Sequence, residues 1–141
     1  MLYKRPATLF VAGFVGSLGM NFLSGSIGRA SVPVARIERD AIPLDGYPRC
    51  GSLNDGREII FGIRPEHASM ADQETRGPVI EAGTLYIEPT GADTLVLFQY
   101  GSQRISARLP PQRAREISGL VRLALDISQV SLFDRATEQR L

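Results

Sequence analysis

Glu58-Ile59-Ile60-Phe61-Gly62-Ile63-Arg64-Pro65-Glu66-His67 decides how this chain reads. The β-branched and aromatic residues from Ile59 to Ile63 predict a strand. Alternation puts Ile59, Phe61 and Ile63 on one face and Glu58, Ile60 and Gly62 on the other. Gly62 leaves room for a neighbouring backbone, and Pro65, with no amide hydrogen to donate, ends the pairing. Arg64, Glu66 and His67 therefore gather at a strand exit. The trio reads either as catalytic or as a turn stapled by an Arg64–Glu66 pair. The second reading is the simpler, because no nucleophile or metal set elsewhere in the chain would work with the trio.

Outward from this strand, turn signals and short apolar runs alternate. Ala41 to Gly56 is rich in proline and glycine and ends in an Asn54-Asp55-Gly56 turn, which predicts a loop leading into the strand. Asn21 to Ile37 is weakly β. Ala68 to Pro78 is polar and predicts a surface loop. The second half then reads as a β meander. Val79 to Glu88 is a strand with a bulge expected at Gly83, and Thr94 to Tyr100 returns after the Pro89–Asp93 turn. Gly101-Ser102 suits a type II′ hairpin, with glycine first. Ile105, Ala107 and Leu109 alternate with polar residues until Pro110-Pro111. Val121, Leu123, Leu125 and Ile127 alternate likewise, and Val130 to Phe133 forms a last strand. Val96, Phe98, Ile105, Ala107, Val121, Leu123 and Leu125 are the expected core of this half. The fold class expected is mainly β: a small OB-like antiparallel barrel with one N-terminal helix.

That helix is read from Pro6, which suits a first helical position, and from the i, i+3, i+4, i+7 stripe Val11, Phe14, Val15, Leu18, with Phe10 on a neighbouring line. The competing reading is a signal peptide, because Lys4 and Arg5 precede an apolar run. Pro6, the glycines at 13, 16 and 19, and Asn21 argue against it. The run is too short to cross a bilayer.

Composition closes several functions. The 141 residues are 43% hydrophobic, enough for one ordinary core and one domain. A net charge of +1 gives no electrostatic reason to expect nucleic acid or an anionic membrane surface as partner, and direct membrane insertion is not expected either. The basic residues are fifteen arginines and the lone Lys4, which stands between Tyr3 and Arg5, so the chain carries no P-loop. Cys50 is the single cysteine and excludes an intrachain disulfide.

Four ordered motifs carry a family resemblance. Tyr3-Lys4-Arg5-Pro6-Ala7-Thr8-Leu9-Phe10-Val11-Ala12-Gly13-Phe14-Val15-Gly16-Ser17 with Met20-Asn21-Phe22-Leu23 is similar to the segment leaving the ATPase domain in carbohydrate ABC importers. Gly62-Ile63-Arg64-Pro65-Glu66-His67 resembles a hallmark of the same subunits' regulatory domain. Glu88-Pro89-Thr90-Gly91-Ala92-Asp93-Thr94-Leu95-Val96 and Leu132-Phe133-Asp134 complete the set. The matching subunits are the ATP-binding ones of the maltose and glycerol-3-phosphate uptake type. The resemblance displaces the signal-peptide reading and implies a division: 1–20, a linker helix from a missing ATPase domain, and 21–141, a TOBE/OB-like regulatory domain. Leu23-Ser24-Gly25-Ser26 superficially resembles an ABC signature but lacks its second glycine and following glutamine. Ser131 stands where the family often has histidine, Gly19 where proline is common, and the Tyr47–Cys50 loop is no family feature.

The resemblance implies a non-catalytic regulatory and interaction domain, with no cofactor, metal or catalytic residue. Its partners would be importer subunits and a second copy of itself through the regulatory domain, at a cytoplasmic location peripheral to the inner membrane. Its site residues would be the motif positions Gly62, Arg64, Pro65, Glu66, His67, Glu88, Gly91, Phe133 and Asp134, in structural or interaction roles. Two other functions compete. One is a stand-alone OB domain binding a small oxyanion or sugar in the barrel mouth, with Arg104, Arg108 and Arg122 as anion partners. The other is an enzyme using Cys50 with His67 and a carboxylate, which needs a depressed thiol pKa that the sequence does not promise.

Overall fold

A computed structural model describes residues 20–48, 51 and 53–141. The expected N-terminal helix with its apolar stripe, and Cys50, lie outside the described residues. The rest is mainly β, as expected: ten antiparallel strands with short helical turns, in two five-stranded sheets. The chain divides into two compact units, one reaching Ile63 and resuming from Ile127 to Leu141, the other running from Arg64 to Asp126.

The first unit is built on β1 (Asn21–Arg29), β2 (Pro33–Ile37), β3 (Asp40–Pro43), β4 (Glu58–Ile63) and β10 (Ser131–Asp134), in sheet order β10-β4-β1-β2-β3. Ile59, Phe61 and Ile63 of β4 are fully buried on one face, as their alternation predicts. Leu23 of β1 lies opposite Phe61, and Gly25 lies opposite Ile59. Gly25 must be glycine for a packing reason. A Cβ there would stand 2.6 Å from the Arg36 carbonyl oxygen and 2.8 Å from Ile37 Cγ1. The apparent signature at residues 23–26 is therefore strand, with a glycine demanded by its neighbour.

The stretch from Ala41 onward, expected as loop, contributes β3. Its hairpin with β2 turns through Glu38, whose φ of 56° is left-handed. Here sheet pairing overrides local turn chemistry. Tyr47, in the loop after β3, is buried. Its hydroxyl donates to the Leu141 backbone oxygen at 2.5 Å and accepts from the Leu132 N–H at 3.4 Å. The Leu141 N–H donates in turn to the Leu132 carbonyl at 2.7 Å. One phenol thus ties the last residue and β10 to the same loop.

The second unit comprises β5 (Ala68–Met70), β6 (Val79–Pro89), β7 (Thr94–Tyr100), β8 (Gln103–Leu109) and β9 (Leu120–Leu125), in order β5-β9-β6-β7-β8. Four expectations need correction. β5 occupies the start of the expected polar loop, where Ala68 is fully buried. The sheet is not a plain meander, because β9 inserts between β5 and β6. The bulge falls at Leu85, between Thr84 and Tyr86, not at Gly83. Gly83 keeps partners on both sides, Gln99 and Leu120, whereas β9 starts at Leu120 and leaves β6 paired on one side beyond it, where an extra residue is tolerated. Ile127 starts a short 3-10 turn instead of extending β9.

The remaining signals hold. Gly101 has φ 59° and Ser102 is not left-handed, the pattern of a II′ turn joining β7 to β8. Pro111 opens the short helix α1 (Pro111–Ala114), where its missing donor costs nothing. All seven predicted core residues of this half are buried.

Candidate functional site

The motif residues fall in three places. Arg64, Pro65, Glu66 and His67 open the second unit. Arg64 is extended, with φ −78° and ψ 150°, and Pro65 starts a 3-10 turn closed by backbone bonds from His67 N–H to the Arg64 carbonyl at 2.9 Å and from Ala68 N–H to the Pro65 carbonyl. The His67 carbonyl accepts from Asp126 N–H at 3.1 Å. This backbone set holds the turn. No Arg64–Glu66 ion pair forms among the described residues, so the predicted staple is absent there. Arg64 is buried and Glu66 exposed. Arg64 Nη2 and His67 Nδ1 are buried without a hydrogen-bond partner among the described residues.

Gly62, Phe133 and Asp134 belong to the first unit. Gly62 lies opposite Ser131 and Phe133 opposite Ile60. A Cβ on Gly62 would stand 3.1 Å from Met20 Sδ, 3.3 Å from the Ser131 carbonyl oxygen and 3.5 Å from Phe133 Cε2. Phe133 and Met20 form a small cluster with Phe22 and Ile60 packed against it. The second face of β4 is thus also covered, and Gly62 admits its cover. Asp134 is a turn-former. Its Oδ1 accepts the N–H groups of Ala136 and Thr137 at 2.8 Å each, and its Oδ2 lies 3.3 Å from Arg57 Nε. The Thr137 N–H bond, then those of Ala136 and the Arg57 charge, hold its carboxyl below the usual 3.8 against the opposing pull of burial.

Glu88 and Gly91 stand at the far end of β6. Glu88 is exposed and opposite Leu95. Gly91 has φ 98° in a turn closed by Thr90 N–H to the Asp93 carbonyl at 2.9 Å. A Cβ on Gly91 would meet nothing, so the requirement there is conformational.

The sequence reading missed the most exposed apolar surface among the described residues. Tyr86 is 58% and Leu120 74% exposed, with Leu85 and Ile87 also open. The signal lay in Thr94-Leu95-Val96-Leu97-Phe98, apolar at successive positions and therefore apolar on both faces. Val96 and Phe98 take the buried face, leaving Leu95 and Leu97 half-exposed on the other. The three candidate anion-binding arginines do not converge. Arg104 and Arg108 are on β8, whereas Arg122 is on β9 beyond β7 and β6. Among the described residues no group of His, Cys, Asp and Glu has the makings of a metal site, and no helix is long and apolar enough to cross a membrane.

Comparison with known proteins fits this geometry. Residues 16–68 match the model of the MalK OB fold domain. The sulfoquinovosyl glycerol transport ATP-binding protein SmoE of Agrobacterium fabrum is 34% identical over 141 residues, covering 99% of this chain and 38% of the relative. The sn-glycerol-3-phosphate import ATP-binding protein UgpC of Escherichia coli O157:H7 is 36% identical over 140 residues, with the same coverages of 99% and 38%. An uncharacterized ABC transporter ATP-binding protein, y4oS of Sinorhizobium fredii, is 38% identical over 109 residues, which are 77% of this chain and 27% of that protein. The chain therefore spans well under half the length of these relatives. Among solved structures, the cytoplasmic molybdate-binding protein ModG superposes with a TM-score of 0.57 at 14% identity, over 79% of this chain and 94% of that one, a likeness of fold alone. Through a MalK-type OB-fold domain, the chain is related to the ATP-binding subunits of ABC sugar importers, as its four motifs imply.

Proposed function

We propose that the chain acts as a non-catalytic regulatory and interaction domain in the ATP-binding part of a sugar importer. The observation that carries this reading is the similarity to SmoE and UgpC along 99% of the chain, with the OB-fold match inside it. In this reading residues 1–20 are a linker helix and 21–141 the regulatory domain. It works beside the importer's other subunits and a second copy of itself, on the cytoplasmic side of the inner membrane. The motif residues serve it by holding surfaces in place: Gly62 and Phe133 by packing, Gly91 and Asp134 by shaping turns, and Arg64 to His67 by fixing where the second unit begins. The one lysine of this sequence, Lys4, stands between Tyr3 and Arg5 and not after a glycine-rich run, so the P-loop pattern is not part of it, in keeping with a non-catalytic role.

The test is a graft. The matching region of Escherichia coli UgpC is replaced by this chain, and uptake of glycerol-3-phosphate is measured beside ATP hydrolysis by the isolated 141-residue protein. Uptake retained by the graft, with no hydrolysis by the isolated chain, is the expected result. ATP turnover by the isolated chain, lost on its own mutation, would overturn the reading.

A further inference from the structure

The dipeptide Asp-Gly occurs twice, at Asp45-Gly46 and Asp55-Gly56, both times exposed and both times in a turn of the first unit. This pairing carries a chemistry of its own. The glycine's backbone nitrogen can attack Cγ of the aspartic acid, because no Cβ on the glycine crowds the approach. The N–Cγ bond forms and a Cγ–O bond breaks. The carboxyl hydroxyl leaves with the nitrogen's proton as one water, and a five-membered succinimide remains. A second water then opens the ring. Cleavage of the bond from nitrogen to Cγ restores aspartate. Cleavage of the bond from nitrogen to the backbone carbonyl carbon leaves the chain running through Cγ, as isoaspartate. One water leaves, one enters, nothing is oxidised or reduced, and the main chain gains one carbon.

The two turns hold the attacking nitrogen differently. Gly56 N–H donates to the Ile27 carbonyl at 2.7 Å, and Ile27 N–H donates to the Arg57 carbonyl at 2.8 Å. Ile27 is buried in β1, so this pair of bonds sews the Asp55-Gly56 turn to the sheet. Attack there must first break the bond that occupies the nitrogen's hydrogen. The other turn closes around its dipeptide instead of through it. Tyr47 N–H donates to the Leu44 carbonyl at 2.9 Å, while Gly46 N–H makes no hydrogen bond among the described residues. Asp45 has an interaction of its own, so the contrast rests on the nitrogen and not on the carboxylate.

Leu44 and Tyr47, on either side of the open turn, are buried. A main-chain carbon added between two anchored residues strains the anchors. Tyr47 is the one with polar work to lose, because its hydroxyl holds the Leu141 backbone oxygen and the Leu132 N–H. We propose that Asp45-Gly46 is a site of spontaneous isoaspartate formation, that hydrogen bonding to β1 spares Asp55-Gly56, and that the reaction loosens the Tyr47 strut. Trypsin cuts after Arg39, Arg49 and Arg57, so the two pairs fall in separate peptides, 40–49 and 50–57. The 141-residue chain is aged for several weeks at neutral pH and body temperature, folded or in strong urea. Electron-transfer fragmentation then measures isoaspartate in each peptide.

In urea both peptides should react at similar rates. In the folded chain 40–49 should lead 50–57 by about tenfold or more, the scale of two backbone hydrogen bonds. Asp45→Glu should silence 40–49, because the longer side chain closes a six-membered ring slowly, and the exposed position leaves the fold intact. Amide exchange at Leu132 and Leu141 should quicken about fivefold or more in the aged chain, as the strut gives way. Equal rates in the folded chain, a lead by 50–57, or reaction in urea alone overturns the proposal. So does a 40–49 signal that survives Asp45→Glu, which would place the reaction at Asp40. Exchange left unchanged by ageing overturns it too. None of these results touches the graft experiment, so this site and the regulatory reading fail separately.

Discussion

The two sheets treat two of their inner strands differently. β4 of the first unit is covered on both faces, by the main core against Ile59, Phe61 and Ile63 and by Met20 and Phe133 against Ile60 and Gly62. β7 of the second unit is covered on one face only, with Val96 and Phe98 buried and Leu95 and Leu97 half-open. Strength of motif does not track exposure. The conspicuous Gly62 and Phe133 are packing residues, while the open surface carries residues that advertise nothing singly. A strand covered on both sides constrains its sequence by fit, and a strand open on one side is constrained there by whatever it meets.

Substitutions on the covered faces should break this contrast most severely. Leu123 is fully buried on β9, opposite Ile80 and Met70. Leu123→Asp should cost about 3–5 kcal/mol or more, by placing an unpaired charge in the core, and so unfold the second unit. Far-ultraviolet circular dichroism with thermal melting checks it; a variant melting within a degree or two of the parent means the strand register is wrong.

Gly25→Val should come next, at about 2–3 kcal/mol, since the added atoms meet the Arg36 backbone and cannot be relieved by a rotamer change. Chemical denaturation would measure it, and a loss below about 0.5 kcal/mol would mean that β1 and β2 part easily. Gly91→Ala should cost about 1 kcal/mol from the positive φ alone, because no neighbour resists the methyl group.

Smaller still is an effect that only pH reveals. The Asp134 carboxyl is held below its ordinary value, chiefly by Thr137 N–H. A group whose folded pKa is depressed adds stability above its unfolded pKa and loses it as pH falls through the folded value. Asp134→Asn should therefore flatten the decline in melting temperature below about pH 4, with the two proteins converging in strong acid. Parallel curves across that range would show that the carboxylate does no such work.

How much of this the residues announced depends on the kind of signal. Alternation from Ile59 to Ile63 and from Ile105 to Leu109, and the Gly101-Ser102 turn, are local and were legible. β3 and β5 were not, because four and three residues carry too little pattern and owe their shape to a partner strand. The placing of β9 between β5 and β6 depends on pairing across distant sequence, which no window sees. The bulge was drawn to Gly83 by its glycine, but its true place follows from where β9 begins. For the candidate site, the motif positions come from family resemblance alone, while the physical surroundings of each needed neighbours: Met20 against Gly62, Thr137 on Asp134. The open face was hidden because Leu95 and Leu97 look like core residues in a list of hydrophobics.

The smallest expected effect sharpens the comparison most. Tyr86→Ser and Leu120→Ser remove large apolar side chains that are 58% and 74% exposed. In a monomer each change should alter stability by no more than about 0.5 kcal/mol, since little buried contact is lost. Differential scanning calorimetry of each variant beside the parent checks it. Were Tyr86→Ser to lose stability as a buried residue does, by about 2 kcal/mol or more, the outer face would be holding up its own sheet, and the difference drawn between β4 and β7 would dissolve.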